Sequence, residues 1–138
     1  AVWQGTGKEG SGTLTTPCGV LNSQPYSFKL RFVDESGTAG TNPEELIAAA
    51  HAGCFTMALS FQISGAGLVP EELRTNAVLT MEQQPGGWTI TAIVLKLEGK
   101  VPGIDAAKFA ELANTAKANC PVSRALSVPI TLEATLLA

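Results

Sequence analysis

Two thiols far apart in the chain, Cys54 and Cys120, are the side chains best suited to chemistry. Cys54 lies in Asn42-Pro43-Glu44-Glu45-Leu46-Ile47-Ala48-Ala49-Ala50-His51-Ala52-Gly53-Cys54-Phe55, and Cys120 in Asn119-Cys120-Pro121-Val122-Ser123. An apolar helical setting raises a thiol's pKa and suppresses the thiolate. Even at the ordinary pKa of about 8.5, only a few per cent is thiolate at neutral pH. Cys54, mid-helix, gains nothing from a helix N-terminus, so for it to react a cation must be brought from elsewhere. Cys120 precedes a proline in an N-cap-like position, where backbone N–H groups lower a thiol's pKa. Packing alone accounts for either cysteine; together they form a candidate reactive pair.

The supply of cations is short, with nine lysines and arginines and one histidine. His51 stands three residues before Cys54, so the two share a helical face and a Cys–His hydrolase has to be weighed. No oxyanion-type glycine loop precedes the cysteine and no third orienting residue stands out, so a satisfied or interface histidine is the plainer reading. Arg31 is the more interesting cation, because its guanidinium stays charged in any setting and can stabilise a thiolate and later an oxyanion. Glu44 could hold that fork by a bidentate pair. Glu44 and Cys54 are nearly three helical turns apart, roughly 15 Å along the axis, so the arginine must bridge much of that gap or reach a partner chain's cysteine. Cys18, in Thr16-Pro17-Cys18-Gly19, reads as an incidental turn residue. One histidine and three scattered cysteines do not make a metal site, and no phosphate-binding glycine loop is present.

These residues need elements to carry them. Residues 1–33, punctuated by Gly10, Gly12, Pro17, Gly19 and Pro25, read as short antiparallel strands. Ser27–Phe32 alternates, which puts Arg31 on the polar face of a strand. After a loop at 34–41, Asn42 caps a helix with Pro43 at its first position, and Glu45 echoes a capping box. That helix runs to about Ile63 and is apolar almost all round. Its length would suit a membrane span, but His51, Thr56, Ser60 and Gln62 and the missing basic flanks speak against one. A helix without a polar face needs cover on every side, and a second copy of the chain is the natural source, which predicts a homodimer. Leu73–Glu82 and Trp88–Glu98 read as a hairpin across Gln83–Gly87. Asp105 caps a helix with the stripe Phe109, Leu112, Ala113 and Ala116. Pro121 opens a short turn, and Pro129–Leu136 alternates as a last strand. The sum is an α+β fold in one domain, residues 1–138, with an antiparallel sheet on one side of a long central apolar helix.

Composition removes whole classes of function. Hydrophobic content of 45% against 15% charge excludes a disordered chain. A net charge of -3 leaves no basic footprint for nucleic acid or an anionic membrane surface. Ala1-Val2-Trp3-Gln4-Gly5 carries no basic n-region and no apolar h-region, so no secretory signal is expected. Three cysteines, an odd number, suit a reducing, cytoplasmic compartment where a disulfide is transient and chemical.

The motif from Asn42 through Phe55, followed about 65 residues later by Cys120-Pro121-Val122-Ser123, resembles the OsmC/Ohr family: osmotically inducible protein C and the organic hydroperoxide resistance proteins. Val101-Pro102-Gly103-Ile104-Asp105 and Gln24-Pro25-Tyr26 resemble the OsmC branch more than the Ohr branch. The resemblance covers essentially the whole chain. It implies an intertwined homodimer with two sites at the subunit interface. It also implies a thiol-dependent peroxidase that reduces organic hydroperoxides to alcohols. On that resemblance Cys54 matches the peroxidatic cysteine and Cys120 the resolving one, joined as a Cys54–Cys120 disulfide. Glu44 and Arg31 match the family's carboxylate and arginine. No bound cofactor is implied; the reductant is an external dithiol, a lipoyl group in the Ohr branch. Two other functions compete: an apolar small-molecule binding dimer with non-catalytic cysteines, and the Cys–His hydrolase.

Overall fold

The computed structural model describes residues 1–137. It is an α+β chain whose backbone contacts fall into two compact units, one of residues 1–46 and one from Ile47 onward.

In the first unit, β1 (Val2–Gln4), β2 (Ser11–Leu14) and β3 (Gln24–Tyr26) form an antiparallel sheet in that order. The Trp3 and Tyr26 rings close over Gly12, where a Cβ would come within 2.6 Å of Tyr26 and 2.7 Å of Trp3. The expected strand at Ser27–Phe32 is instead a helix, α1 (Phe28–Phe32). Alternating Phe28, Leu30 and Phe32 fits a strand face, but the local cap decides otherwise. The Ser27 hydroxyl accepts from the Leu30 N–H at 3.2 Å. The Phe28 and Phe32 rings, four residues apart, then meet at 4.9 Å between centroids, as a helical turn allows. Arg31 therefore sits in the last turn of a helix, not on a strand.

The loop at 34–41 is tied by Asp34, whose carboxylate accepts from the Ser36 N–H and hydroxyl and from the Ala39 N–H. Asn42 then caps α2 (Pro43–Gly65), its side-chain oxygen accepting from the Glu45 N–H at 2.8 Å. The Glu45 side chain does not complete a capping box; it accepts from the Thr41 hydroxyl at 3.0 Å. At the other end Gly67, at φ +79°, lets the Leu68 N–H turn back to the Ile63 carbonyl, which stops the helix.

In the second unit α2 buries a stripe of every fourth residue, His51, Phe55, Leu59 and Ile63. This stripe joins one core with Ile93, Leu95 and Leu97 and with the face Phe109, Leu112, Ala113 and Ala116 of α3 (Ala106–Asn119). Those four α3 residues are the ones the apolar stripe predicted. The Asp105 carboxylate caps α3 by accepting from the Lys108 N–H at 2.7 Å. The hairpin β4 (Glu72–Gln84) and β5 (Gly87–Lys100) runs longer than its sequence signal, with a bulge after Thr80. The last strand, β6 (Ile130–Leu136), pairs with β5 in parallel, so the larger sheet is mixed and not purely antiparallel. The reason is connectivity: α3 and the short α4 (Pro121–Ala125) intervene between β5 and β6, a crossover long enough to return the chain in the same direction.

Candidate active site

Three local choices of the backbone place the thiols. Cys54 stands on α2 one residue before buried Phe55, at the edge of the stripe and half-buried. Cys120 is both the C-cap of α3 and the N-cap of α4. Its N–H donates to Ala116 and its carbonyl accepts from Arg124, while Pro121 suits the first position of the new helix. The sulfur is wholly buried in the apolar core. The two sulfurs lie 2.9 Å apart, and both cysteines are free.

The pair shares its acidity unequally. Burial pushes the Cys54 thiol up, and the neighbouring Cys120 sulfur pushes it further, against the Val122 N–H, which favours its thiolate. Burial also opposes ionisation of Cys120. There it is outweighed by the Cys54 thiol, the N–H and hydroxyl of Ser123 and the Val122 N–H, so the Cys120 pKa falls. These α4 groups act on the sulfur without closing a side-chain capping hydrogen bond. Of the two thiols Cys120 is therefore the more acidic, and Cys54 holds its proton more tightly. Among the described residues of this unit no cation acts on Cys54 to reverse the order.

Arg31 and Glu44 meet in the first unit. The guanidinium presents one edge to the carboxylate, Nε donating at 3.0 Å to Oε1 and 3.3 Å to Oε2, with Nη2 also on Oε1. Its carbon also lies 5.0 Å from the centre of the Phe32 ring. Arg31 keeps 37% of its side chain exposed, against 13% for Glu44, so the charged fork has a free edge.

His51 does not pair with Cys54. Its Nε2 lies 2.7 Å from the Ser123 hydroxyl and its Nδ1 has no partner, so the Cys–His dyad is not formed. Ser123 is the residue whose part sequence reasoning missed. The one available signal was its place in the first turn after Cys120, where a hydroxyl faces back toward the cap. Cys18 is exposed in its turn, 3.5 Å from the Thr16 hydroxyl. Neither of the two larger clefts of the second unit, about 460 and 690 Å³, is lined by Cys54 or Cys120.

Comparison with known proteins places this arrangement in a family. A family model described as OsmC-like protein matches residues 34–134. The chain is 50% identical to peroxiredoxin OsmC of Escherichia coli (strain K12), over 96% of this chain and 91% of that one. It is 36% identical to an organic hydroperoxide resistance protein of Xanthomonas axonopodis pv. citri, over 85% and 83% of the two chains. The crystal structure of OhrB of Bacillus subtilis superposes with a TM-score of 0.68 at 25% identity, covering 99% of this chain and 95% of that one. An OsmC-like protein from Vibrio cholerae gives 0.73 at 18% identity, over 90% and 83%, a likeness of fold. With two free thiols in contact on that shared framework, this chain belongs to the OsmC-like protein family.

Proposed function

We propose that this protein is a cysteine-based peroxidase that reduces organic hydroperoxides to alcohols through Cys54 and Cys120. The observation that carries the reading is the 2.9 Å contact between the sulfurs, since a disulfide can close there with little backbone movement. The names of its relatives, a peroxiredoxin and organic hydroperoxide resistance proteins, point the same way.

The Cys54 thiolate attacks the distal oxygen of ROOH; the O–O bond breaks and the alkoxide takes a proton and leaves as alcohol. Cys54 is now a sulfenic acid. The Cys120 thiolate attacks that sulfur, the S–S bond forms, and hydroxide leaves and is protonated to water. An external dithiol then reduces the disulfide by two exchanges and departs as its own disulfide. A lipoylated protein is the candidate carrier of that dithiol.

The first step asks for a cation, because burial and the neighbouring Cys120 sulfur both oppose the Cys54 thiolate. Arg31 supplies it in this reading, stabilising first the thiolate and then the charge developing on the peroxide oxygens. Glu44 orients the guanidinium through the bidentate pair and leaves its other edge free for the reaction. The surroundings of the thiols select a greasy oxidant. Val122 and Leu126 pack against the same core as Cys54, and each methylene buried gains about 0.8 kcal/mol, roughly fourfold in kcat/KM.

The working form is a homodimer in the cytoplasm, with no nucleic-acid or membrane partner. Met57 and Phe61 on α2 are 65% and 70% exposed, and only 22% of the most apolar stretch of that helix is buried within the chain. A second copy provides the cover the helix needs. Three free thiols suit a reducing compartment.

The test is to add one equivalent of an organic hydroperoxide to the reduced protein and map disulfides by intact and peptide mass. Loss of two hydrogens within one chain and a Cys54–Cys120 peptide are expected. Unchanged thiols, or equal turnover of hydrogen peroxide and a long-chain hydroperoxide, would count against the reading. A binding protein would survive Cys54→Ser with its ligand affinity intact.

A further inference from the structure

The two sulfurs of a Cys54–Cys120 disulfide are not equally open to a reductant. A thiolate can attack either sulfur, and the one not attacked leaves. The attacker has to come in line with the S–S bond, from the side opposite the leaving sulfur. Cys120 offers no such side. It is wholly buried in the core cluster, whereas Cys54 is half-buried at the edge of the α2 stripe. Closing the 2.9 Å contact to a bond of about 2.05 Å needs only a small shift, so this difference in cover carries over to the disulfide. Nor is Cys120 free to swing out. Its N–H donates to the Ala116 carbonyl at 2.9 Å and its carbonyl accepts from the Arg124 N–H at 3.0 Å, so helices on both sides hold its backbone. Three residues on, the Ser123 hydroxyl lies 2.7 Å from His51 Nε2, which braces α4 on α2. A second copy seated on α2 adds cover and cannot open Cys120.

We propose that the reductant enters at Cys54 and that Cys120 is the leaving sulfur. The assignment deepens the two-cysteine reading and rests on it. The thiolate of the external dithiol attacks the Cys54 sulfur, an S–S bond forms between them, and the Cys54–Cys120 bond breaks. Its electron pair goes to Cys120, which leaves as thiolate and takes up a proton. The second thiol of the reductant, as thiolate, then attacks the reductant's own sulfur in the mixed disulfide. Cys54 is released with that electron pair, and the reductant departs as its cyclic disulfide, two electrons poorer. Cys54 thus works twice from one open position, first on the peroxide and then toward the reductant. Cys120 never leaves the core. The acidities favour the same direction, because a more acidic thiol leaves faster. The pKa of Cys120 is lowered and that of Cys54 raised.

The test reads which cysteine carries the reductant. The disulfide is made in the unmodified protein with one equivalent of an organic hydroperoxide and, in a parallel sample, with diamide. Diamide oxidises paired thiols without peroxide chemistry, so the second sample does not depend on the peroxidase reading. Each sample is mixed with the monothiol 2-mercaptoethanol, quenched in acid at a series of short times, alkylated and mapped by peptide mass. The earliest adduct is expected on Cys54, with Cys120 alkylated beside it. It should outnumber the reverse pair by at least about tenfold, because reaching Cys120 first requires opening the core around it. Equal adducts on the two cysteines, or an excess on Cys120, would overturn the proposal. Failure of the hydroperoxide to form the bond that diamide forms would instead remove the peroxidase reading, and this step of its cycle with it. Failure of both oxidants to join the sulfurs would overturn both.

Discussion

Cys54 and Cys120, 66 positions apart in the chain, meet sulfur to sulfur at 2.9 Å in the reduced protein. A bond between them would close a loop of that length in the unfolded chain. Loop-closure entropy then stabilises the oxidised protein by about 4 kcal/mol. Denaturant titration of the two redox forms should show the oxidised form unfolding at the higher concentration. Coincident curves would mean that strain in the folded disulfide cancels the entropy.

Arg31 and Glu44 are expected to matter for rate and little for stability. The pair is partly exposed, so removing it should cost at most about 1 kcal/mol. Arg31→Lys keeps the charge but loses the fork, and kcat/KM for an organic hydroperoxide should fall about tenfold or more. Glu44→Gln, which leaves the guanidinium unanchored, should fall in the same direction. Steady-state peroxide reduction measured beside thermal unfolding checks both at once. Full activity in Arg31→Lys would remove the arginine from the mechanism.

His51 ties stability to acid. Its folded pKa is depressed by burial, so the unfolded chain takes up the proton first as pH drops. Stability should therefore be complete above about pH 6.5, decline as pH falls through that value, and level off below the folded pKa. His51→Gln has no proton to take up and should flatten this part of the profile. Unfolding curves between pH 7.5 and 5 compare the two slopes.

Phe61 tests the dimer. At 70% exposure it is largely uncovered by its own chain, so Phe61→Glu should leave the monomer folded and weaken association by at least about tenfold. Sedimentation equilibrium against concentration reads the change. An unmodified protein that stays monomeric at high concentration would leave the apolar face of α2 unexplained.

Gly99 tests the core. A Cβ there would lie 2.4 Å from the Phe109 ring, which is buried in the core. Gly99→Ala should cost about 1–3 kcal/mol in chemical denaturation. A neutral result would mean that Phe109 repacks.

Much of this molecule is local, and local features are legible in sequence. Asn42 before Pro43, Asp105 before α3 and Pro121 after Cys120 each mark a helix end through a bond or ring that a few adjacent residues settle. The stripe Phe109–Leu112–Ala113–Ala116 follows from the helical period alone. At 27–32 the same reasoning failed, because five residues satisfy a strand's alternation and a helical turn equally, and a serine cap is a weaker sign than the pattern around it.

What the chain alone determined is which groups are present and, for most elements, where each begins: a pair of candidate thiols, an arginine and a glutamate able to pair, and an apolar helix in want of cover. Tertiary structure decided the pairings, because spacing along a backbone carries no information about distance across a core. Only packing α3 and α4 against α2 sets Cys120 beside Cys54 and gives His51 to Ser123 in place of its helical neighbour Cys54. The physical reason is that buried polar atoms must find partners within hydrogen-bond reach, and the partner within reach is chosen by the fold.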